Sequence, residues 1–202
     1  MHQTLFKEPH HFFFSSQVGN TVFNIRSMQP ADLSTIHEWV NKPYAHRFWN
    51  MQGSLEELTK AFHKQKEEST SSTFLVCHNI QPIALFEVYQ VISSELALKY
   101  EACMNDFGIH LLMAPHAELL PLKKELKKVS EQTLLTVLDM LFTYNSVKRV
   151  VAEPDAQNLY ACRLAEHAGF RFIGEIELIE KKASLYMITK EQHIKQRSAD
   201  HS

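Results

Sequence analysis

The sequence predicts an α/β protein, with a mixed β-sheet that carries helices on both faces. Segments with strand and helix character alternate along the chain, as they do in mixed α/β sheets. Residues 130–142 place apolar side chains on one helical face, and residues 147–152 are nearly all apolar, as expected at the centre of a sheet. A length of 202 residues favours a single domain.

Capping and turn residues divide the first part of the chain into elements. Pro30 suits the first turn of a helix, and Ser54 with Glu57 forms a capping box at the start of another. Turn-forming residues bound the segments with strand composition. The predicted elements are strands at 11–15 and 21–28, helices at 31–40 and 54–67, and strands at 73–77, 83–91 and 107–113.

In the second part of the chain, the last predicted helix ends at Gly169, at a position that needs a left-handed backbone conformation. The residues from Lys190 onward are polar and are expected to fray. The predicted elements are helices at 130–142 and 158–168 and strands at 147–152, 170–178 and 183–189. The predicted division is an N-terminal strand extension over 1–20, the main domain over 21–189 and a flexible tail over 190–202.

Charge and hydropathy exclude several classes of partner. The chain has 21 Lys and Arg against 23 Asp and Glu, a net charge of −2, so no positive field attracts nucleic acid or an anionic membrane. No apolar run approaches the length of a bilayer span. The N-terminus lacks the basic start and apolar core of a secretory signal. A cytoplasmic protein is therefore expected.

Cysteine and histidine spacing favours neither disulfides nor a metal. The 3 cysteines, Cys77, Cys103 and Cys162, are odd in number and form no CxxC pair. None of the 12 histidines falls in HExxH or a comparable ligand spacing. We expect free thiols and no metal cofactor.

Several short segments carry specific residue patterns. In chain order they are HEWVN-x-P followed by FW over residues 37–49, FEVY over 86–89, DFGIHLL over 106–112, EPDAQN over 153–158 and N-x-x-A-x-x-L-x-E-x-x-G-F over 158–170. Taken together and in this order, they resemble the GNAT acetyltransferases. They are most similar to the branch that acylates hydroxylamines in hydroxamate siderophore biosynthesis. The resemblance covers roughly residues 22–187.

This resemblance implies a single GNAT domain that acts as an acyl-CoA-dependent N-acyltransferase. Its co-substrate would be acetyl-CoA, succinyl-CoA or another acyl-CoA. Its partner would be a small-molecule amine or hydroxylamine, such as N6-hydroxylysine or an N-hydroxydiamine, in a pathway of iron acquisition. A homodimer is left open. The alternatives are an aminoglycoside or plain lysine amine as acceptor, and a non-catalytic acyl-CoA-binding module.

The resemblance assigns catalysis to His110 and Asp155, which stand in its G-x-H-L-L and E-P-D motifs. His110 falls in an apolar strand, where burial is expected to lower its pKa and favour the neutral form that a base requires. Asp155 would orient His110 or hold the substrate hydroxyl. Which of the two takes the proton stays open. The alternatives are a hydrogen-bonded core histidine and a helix cap at Asp155, a role for which Asn158 competes.

Substrate binding is assigned to Glu87 and to residues around it. A carboxylate on an apolar strand is costly unless it has a partner, which a cationic substrate amine, Arg26 or Lys99 would supply. The aromatic residues expected to form an apolar slot, and the acid expected at its polar end, are Trp39, Trp49, Tyr89 and Asp106. Aromatic side chains of plain core are the alternative.

The CoA site departs from the family pattern. GNAT proteins hold the CoA diphosphate with a glycine-rich loop, but none of the 5 glycines of this chain lies there. A helix N-terminus near Ser130 would still offer N–H groups to an anion, and neighbouring lysines would add charge unless they are a solvated face. Ala165 replaces the tyrosine that often protonates the leaving thiolate. The residues assigned to cofactor binding are Met113, Lys127, Lys128, Val129, Ser130 and Asn158.

Overall fold

The computed structural model describes residues 13–18, 21–49, 51–67, 70–125 and 128–199. The strands within these ranges are β1 Phe13–Val18, β2 Thr21–Ser27, β3 Ser71–His78, β4 Gln81–Gln90, β5 Asp106–Met113, β6 Arg149–Ala152, β7 Arg171–Glu177 and β8 Lys182–Thr189. The α-helices are α1 Leu33–Val40, α2 Pro43–Trp49, α3 Leu55–Glu67, α4 His116–Glu125, α5 Val129–Leu141, α6 Leu159–His167 and α7 Lys190–Ala199. No helix in this part of the chain is long and apolar enough to cross a membrane.

The strands form one 8-stranded mixed sheet in the order β1-β2-β3-β4-β5-β6-β8-β7. Neighbouring strands are antiparallel except β5 and β6, which are parallel. The parallel ladder is short, because only Asp106, Phe107 and Gly108 pair with residues of β6. Beyond Gly108, β5 continues to Met113 along β4 alone. The sheet therefore opens between β5 and β6.

Helices cover both faces of the sheet, as the sequence predicts. Leu85 of β4 faces Ile36 of α1 and Leu58 of α3 across a cavity on one face. The other face is covered by α5, which contacts β1 and β2. Most buried apolar residues join into one core cluster. The largest fully buried side chains are Trp39, Phe23, Phe86, Ile25, Ile36, Leu75, Leu96, Leu138, Met140, Leu141 and Leu185.

The predicted capping residues are confirmed. The Ser54 N–H donates to Glu57 Oε2 at 2.7 Å, and the Glu57 N–H donates to Ser54 Oγ at 3.2 Å, ahead of α3. The side chain of Asn158 accepts from the Ala161 N–H at the start of α6. Gly169 follows α6 with a φ of +90°, which is the left-handed conformation that the sequence required.

Two helices in the interior of the chain were not predicted. The seven-residue α2 buries only Ala45, so it has no apolar stripe to mark it. Residues 116–125 form α4 although Pro121 lies inside it, and an internal proline argues against a helix in sequence reasoning.

The end of the chain corrects a further expectation. Residues predicted to fray form α7, in which His193 is buried. His193 Nε2 lies 2.7 Å from Asp139 Oδ1, and Arg197 Nη2 donates to Asp139 Oδ2 at 2.9 Å. These contacts fix a helix that its own polar composition would leave exposed. The predicted division into domains stays a prediction, and the expected N-terminal strand falls partly outside the described residues.

Candidate active site

A cleft of about 380 Å³ lies where β5 and β6 separate. One wall is formed by β5, the other by the residues that follow β6 and by the start of α6. Phe48 and Trp49 close it from α2, and Lys181 lies at its edge. The lining residues from the sheet and from α6 include Ile109, His110, Leu111, Glu153, Asp155, Asn158 and Ala165.

The cleft passes through the sheet. Side chains alternate between the two faces of a strand, so Ile109 and Leu111 point away from the face that carries His110. Leu134 of α5 lines the cleft beside Ile109 and Leu111. Glu87 stands directly opposite His110 on β4 and shares its face. The cleft thus connects the α5 side of the sheet to the α1–α3 side.

Backbone groups of β5 face this gap. The Ala114 N–H donates to Ile83 O at 2.8 Å, and alternate residues of an antiparallel strand bond to the same neighbour. Ile109, Leu111 and Met113 therefore direct their backbone groups away from β4. The Ile109 N–H still bonds to Val151 of β6 at the end of the parallel ladder, so the N–H groups of Leu111 and Met113 are the positions from which the strand can donate hydrogen bonds to a molecule in the cleft.

His110 is held between two carboxylates. Its Nε2 lies 2.6 Å from Glu153 Oε1, and its Nδ1 lies 3.2 Å from Glu87 Oε2. The ring centroid of Tyr89 is 5.0 Å from the imidazole, and that of Trp49 is 6.3 Å away. The His110 side chain keeps 40% of its surface exposed, while the Glu153 side chain is only 5% exposed. The imidazole is therefore reachable from the cleft, and its main partner is buried.

The charge of this histidine differs from the expectation. Burial disfavours the charged imidazole, but attraction and hydrogen bonding to Glu153 and Glu87 outweigh it and raise the pKa of His110 to about 10. Burial alone would raise the pKa of the Glu153 carboxyl, yet the facing imidazolium keeps that pKa below its usual value. The predicted neutral histidine is wrong for the protein without substrate, because charged partners rather than burial decide the protonation.

The hydrogen-bond geometry agrees with this charge. An ionised carboxylate only accepts, so beside ionised Glu87 and Glu153 both ring nitrogens of His110 carry hydrogen. An imidazole that donates on both sides has no lone pair left for a proton. His110 offers positive charge to the cleft in this state.

Sequence reasoning missed three contributors to this arrangement. Gln65 Nε2 donates to Glu87 Oε1 at 2.6 Å, and Lys181 Nζ lies 3.9 Å from Glu153 Oε1. Gln65 and Lys181 lie far along the chain from their partners and match no motif. Glu153 does stand in the E-P-D motif, two residues before Asp155, so its place in the motif was the available signal.

Asp155 lines the cleft with His110. Its Oδ1 accepts from the Gln157 N–H at 2.7 Å, and Asn158 rather than Asp155 caps α6. Among the hydrogen bonds of the described residues, none joins the Asp155 carboxylate to His110. The structure thus brings the two predicted catalytic residues to one cleft without a hydrogen bond between their side chains, and their roles stay predictions.

The structure places some of the residues assigned to substrate binding at the cleft and others in the core. Trp49 and Glu87 line the cleft, and Tyr89 packs on His110. Trp39 is 1% exposed in the core, and its Nε1 donates to Glu118 at 3.3 Å. Asp106 is likewise 1% exposed.

Asp106 already has its hydrogen-bonding partners. Arg149 Nε donates to Asp106 Oδ1 at 2.6 Å, and Tyr100 Oη donates to Oδ2 at 2.8 Å. The structure therefore places Trp39 and Asp106 in internal contacts rather than on the cleft.

The residues assigned to CoA lie at the start of α5 and around the cleft. Lys128 precedes α5 with a φ of +60°, a left-handed conformation that glycine adopts more readily. Val129 and Ser130 are buried in the first turn, where the helix leaves N–H groups unpaired, and Ser130 Oγ accepts from Tyr160 Oη at 2.7 Å. Lys127 lies outside the described residues.

Asn158 and Met113 also have hydrogen bonds within the protein. The Asn158 side chain is used as a cap, and the Met113 carbonyl accepts from Tyr44 Oη at 2.8 Å. The Met113 N–H remains directed at the gap. For the described residues, no group of three or more His, Cys, Asp or Glu is arranged to hold a metal ion.

Comparison with known proteins establishes the family. Residues 29–178 match the family model described as Acetyltransferase (GNAT) domain. The chain belongs to this family, and with it the predicted fold class is confirmed. It is an acyl-CoA-dependent N-acyltransferase.

Named relatives agree with this assignment. An N-hydroxyputrescine acetyltransferase of Acinetobacter baumannii is 25% identical over 189 residues, 91% of this chain and 86% of that protein. The lysine N-acyltransferase MbtK of Mycolicibacterium paratuberculosis is 25% identical over 167 residues, 82% of this chain and 73% of that protein. In fold, the chain is similar to the aminoglycoside acetyltransferase AAC(6')-Ib in complex with coenzyme A, with a TM-score of 0.75, 20% identity and coverage of 86% and 98%.

Proposed function

We propose that this protein transfers an acetyl or succinyl group from CoA to the nitrogen of an N-hydroxylated amine in hydroxamate siderophore biosynthesis. The observation that carries this proposal is the pairing of His110 with Glu87 and Glu153 in the cleft. The name of the Acinetobacter relative, an N-hydroxyputrescine acetyltransferase, supports the same acceptor class.

The protonation state of His110 suits a hydroxylamine as the acceptor. A plain amine such as a lysine side chain has a pKa near 10.4 and arrives as an ammonium ion, so it must lose a proton before it can attack. A hydroxylamine nitrogen is neutral at the pH of the cytoplasm. Because His110 carries a proton on both nitrogens, it is no base for an ammonium ion. An acceptor that is already neutral needs a base only during or after attack.

The proposed transfer uses Asp155 and His110 in different roles. The hydroxylamine nitrogen attacks the thioester carbonyl carbon, a C–N bond forms and the C–S bond breaks. The nitrogen's proton passes to the Asp155 carboxylate, and the electron pair of the C–S bond leaves on the CoA thiolate. The His110 imidazolium stabilises negative charge on the carbonyl oxygen or on the thiolate as it forms. The thiolate leaves as a modest base, so Ala165 at the position of the usual tyrosine acid is tolerable.

A substrate panel tests the proposal. Purified protein is incubated with acetyl-CoA or succinyl-CoA and with N6-hydroxylysine, N-hydroxycadaverine, N-hydroxyputrescine or the unhydroxylated parent of each. Free CoA thiol is followed with time, products are identified by mass, and a reaction without acceptor measures hydrolysis. Turnover confined to hydroxylated amines is expected. Faster turnover of the parents, or thiol release no faster than hydrolysis for every acceptor, would overturn the proposal.

A further inference from the structure

A second cavity of about 250 Å³ lies on the α1–α3 side of the sheet. The apolar side chains that form most of its wall are Met28, Ile36, Leu58, Phe62 and Leu85. A polar edge contains Lys64, Gln65, Ser71 and Thr73, and Thr73 Oγ1 donates to Gln65 Oε1. A cavity with this lining accommodates an apolar chain and provides few polar partners along it.

This cavity borders the reaction cleft. Trp49, Met51 and Glu87 line both. Glu87 is also the residue whose Oε2 lies 3.2 Å from His110 Nδ1. A single molecule can therefore place a reacting group beside His110 and extend its remaining chain past Glu87 into the second cavity.

The position of the second cavity relative to the sheet separates it from the α5 end of the cleft. Leu85 and Glu87 are two residues apart on β4, so they share the face that carries His110. The start of α5, which would bind the CoA phosphates, lies with Ile109 and Leu111 toward the opposite face. An acceptor that approaches from the α1–α3 side meets the thioester without displacing CoA.

Either the acyl chain of the thioester or the alkyl chain of the acceptor could enter the second cavity. The chemistry of Glu87, which lies between this cavity and the cleft, favours one of them. The Glu87 carboxylate accepts hydrogen bonds and donates none, and Gln65 and His110 already hold it in place. A thioester carbonyl is also an acceptor, so it gains nothing beside Glu87. A hydroxylamine carries N–H and O–H donors. The group that passes Glu87 is therefore the nucleophile.

We propose that the cavity beneath α3 binds the aliphatic chain of the acceptor, so that the preferred acceptors are hydroxylamines on an unbranched alkyl chain. This inference rests on the proposed function. The apolar wall supplies affinity for methylene groups, while Glu87 positions the hydroxylamine at the cleft. The acyl group stays in the cleft at the thioester.

A substitution at the open side of the cavity tests the proposal. Ala61 lines the cavity and is exposed on α3, so Ala61→Phe adds bulk there without entering the core. Ala117→Phe is the matched control, because Ala117 is exposed on α4 and lines neither cavity nor cleft. With Ala61→Phe we expect kcat/KM for the hydroxylated amine to fall at least about tenfold, with KM for acyl-CoA unchanged. A changed preference for acyl-chain length instead, or equal effects of the two substitutions, would overturn the proposal.

A binding series separates this inference from the reaction itself. N-alkylhydroxylamines from ethyl to hexyl are titrated by calorimetry into the full-length protein saturated with CoA, which allows no turnover. Affinity is expected to rise about fourfold for each methylene in the wild type and in Ala117→Phe, and to level off in Ala61→Phe. Affinity independent of chain length in the wild type would refute the cavity's role. A silent substrate panel together with a rising affinity series would refute only the proposed reaction.

Discussion

Glu153 Oε1 lies 2.6 Å from His110 Nε2, across the gap where β5 and β6 separate. The backbone ladder between these strands ends at Gly108 and Val151, so side chains take over the connection two residues later. The contact joins the two strands at the point where they must part to admit a substrate. It also fixes the charge of the imidazole that faces the cleft.

The first prediction concerns the charge of His110. Replacing Glu153 with Gln removes its strongest partner, so the pKa of His110 should fall from about 10 by roughly one to three pH units. The titration of the His110 ring resonances, followed by NMR, measures this directly. Glu87→Gln should cause a smaller decrease, because Glu87 is farther from the ring and its side chain is 29% exposed. An unchanged titration in Glu153→Gln would show that Glu153 does not control the imidazole.

The second prediction concerns the proton acceptor. Asp155→Asn should lower kcat about a hundredfold or more, because an amide cannot take the proton. The fold should survive, since the amide oxygen can still accept from the Gln157 N–H. Glu180→Gln is the control, because it removes another acid that lines the cleft. Steady-state kinetics decide the question, and equal rates for wild type and Asp155→Asn would exclude Asp155 as the base.

The third prediction uses two glycines in the sheet. A Cβ on Gly108 would lie 2.0 Å from Cζ of Tyr89, whereas a Cβ on Gly174 would meet nothing within 4 Å. Gly108→Ala must therefore push the Tyr89 ring off His110, and kcat/KM should fall about a hundredfold from the misplaced imidazole. Gly174→Ala should leave kinetics unchanged. Similar kinetics in both variants would mean that the Tyr89 contact does not position His110.

The fourth prediction concerns stability and pH. Burial opposes ionisation of Asp139, but hydrogen bonds from His193 and Ser16 and the charge of Arg197 hold the pKa of this carboxyl below its usual value of 3.8. A folded-state pKa below the unfolded one stabilises the protein fully above pH 3.8, and this stabilisation is lost as the pH falls through the folded value.

The lowered pKa of Asp139 determines how a substitution at this residue should change stability with pH. Asp139→Asn should lower the free energy of unfolding by about 3 kcal/mol at pH 7, because it leaves His193 and Arg197 facing a neutral group. The difference from wild type in urea unfolding should shrink below pH 3.8. Glu175→Gln breaks an exposed pair with Lys182 and should not change stability measurably. A difference that persisted unchanged at low pH would contradict the role of the charge.

The helices that were predicted from the sequence have local signals in it, and the helices that were missed do not. The capping box at Ser54 and the apolar stripe of α5 depend only on neighbours along the chain. In contrast, α7 buries only His193 among its own residues, and its order depends on Asp139 more than fifty positions earlier. Such a contact exists only after folding, so composition alone predicts a loose tail.

The candidate site was also predicted only in part, since its residues have local signals and the contacts between them do not. Motifs located His110, Asp155, Glu87 and Trp49, which all reach the cleft. They did not indicate that Glu87 and Glu153 face the imidazole from opposite sides, a relationship that joins residues 23 and 43 positions apart. Because the protonation of a histidine depends on such neighbours, the predicted neutral form could not have been corrected from the strand sequence.

The opening of the sheet beyond Gly108 has a thermodynamic consequence. The amides of Leu111 and Met113 face a gap rather than a neighbouring strand, so what fills the gap determines whether they are hydrogen-bonded. Slow hydrogen exchange at these positions would then report occupancy of the cleft, whereas the amides bonded to β4 would report global unfolding. A bound molecule that accepts hydrogen bonds from the amides of Leu111 and Met113 would add to the stability of the sheet at its opening.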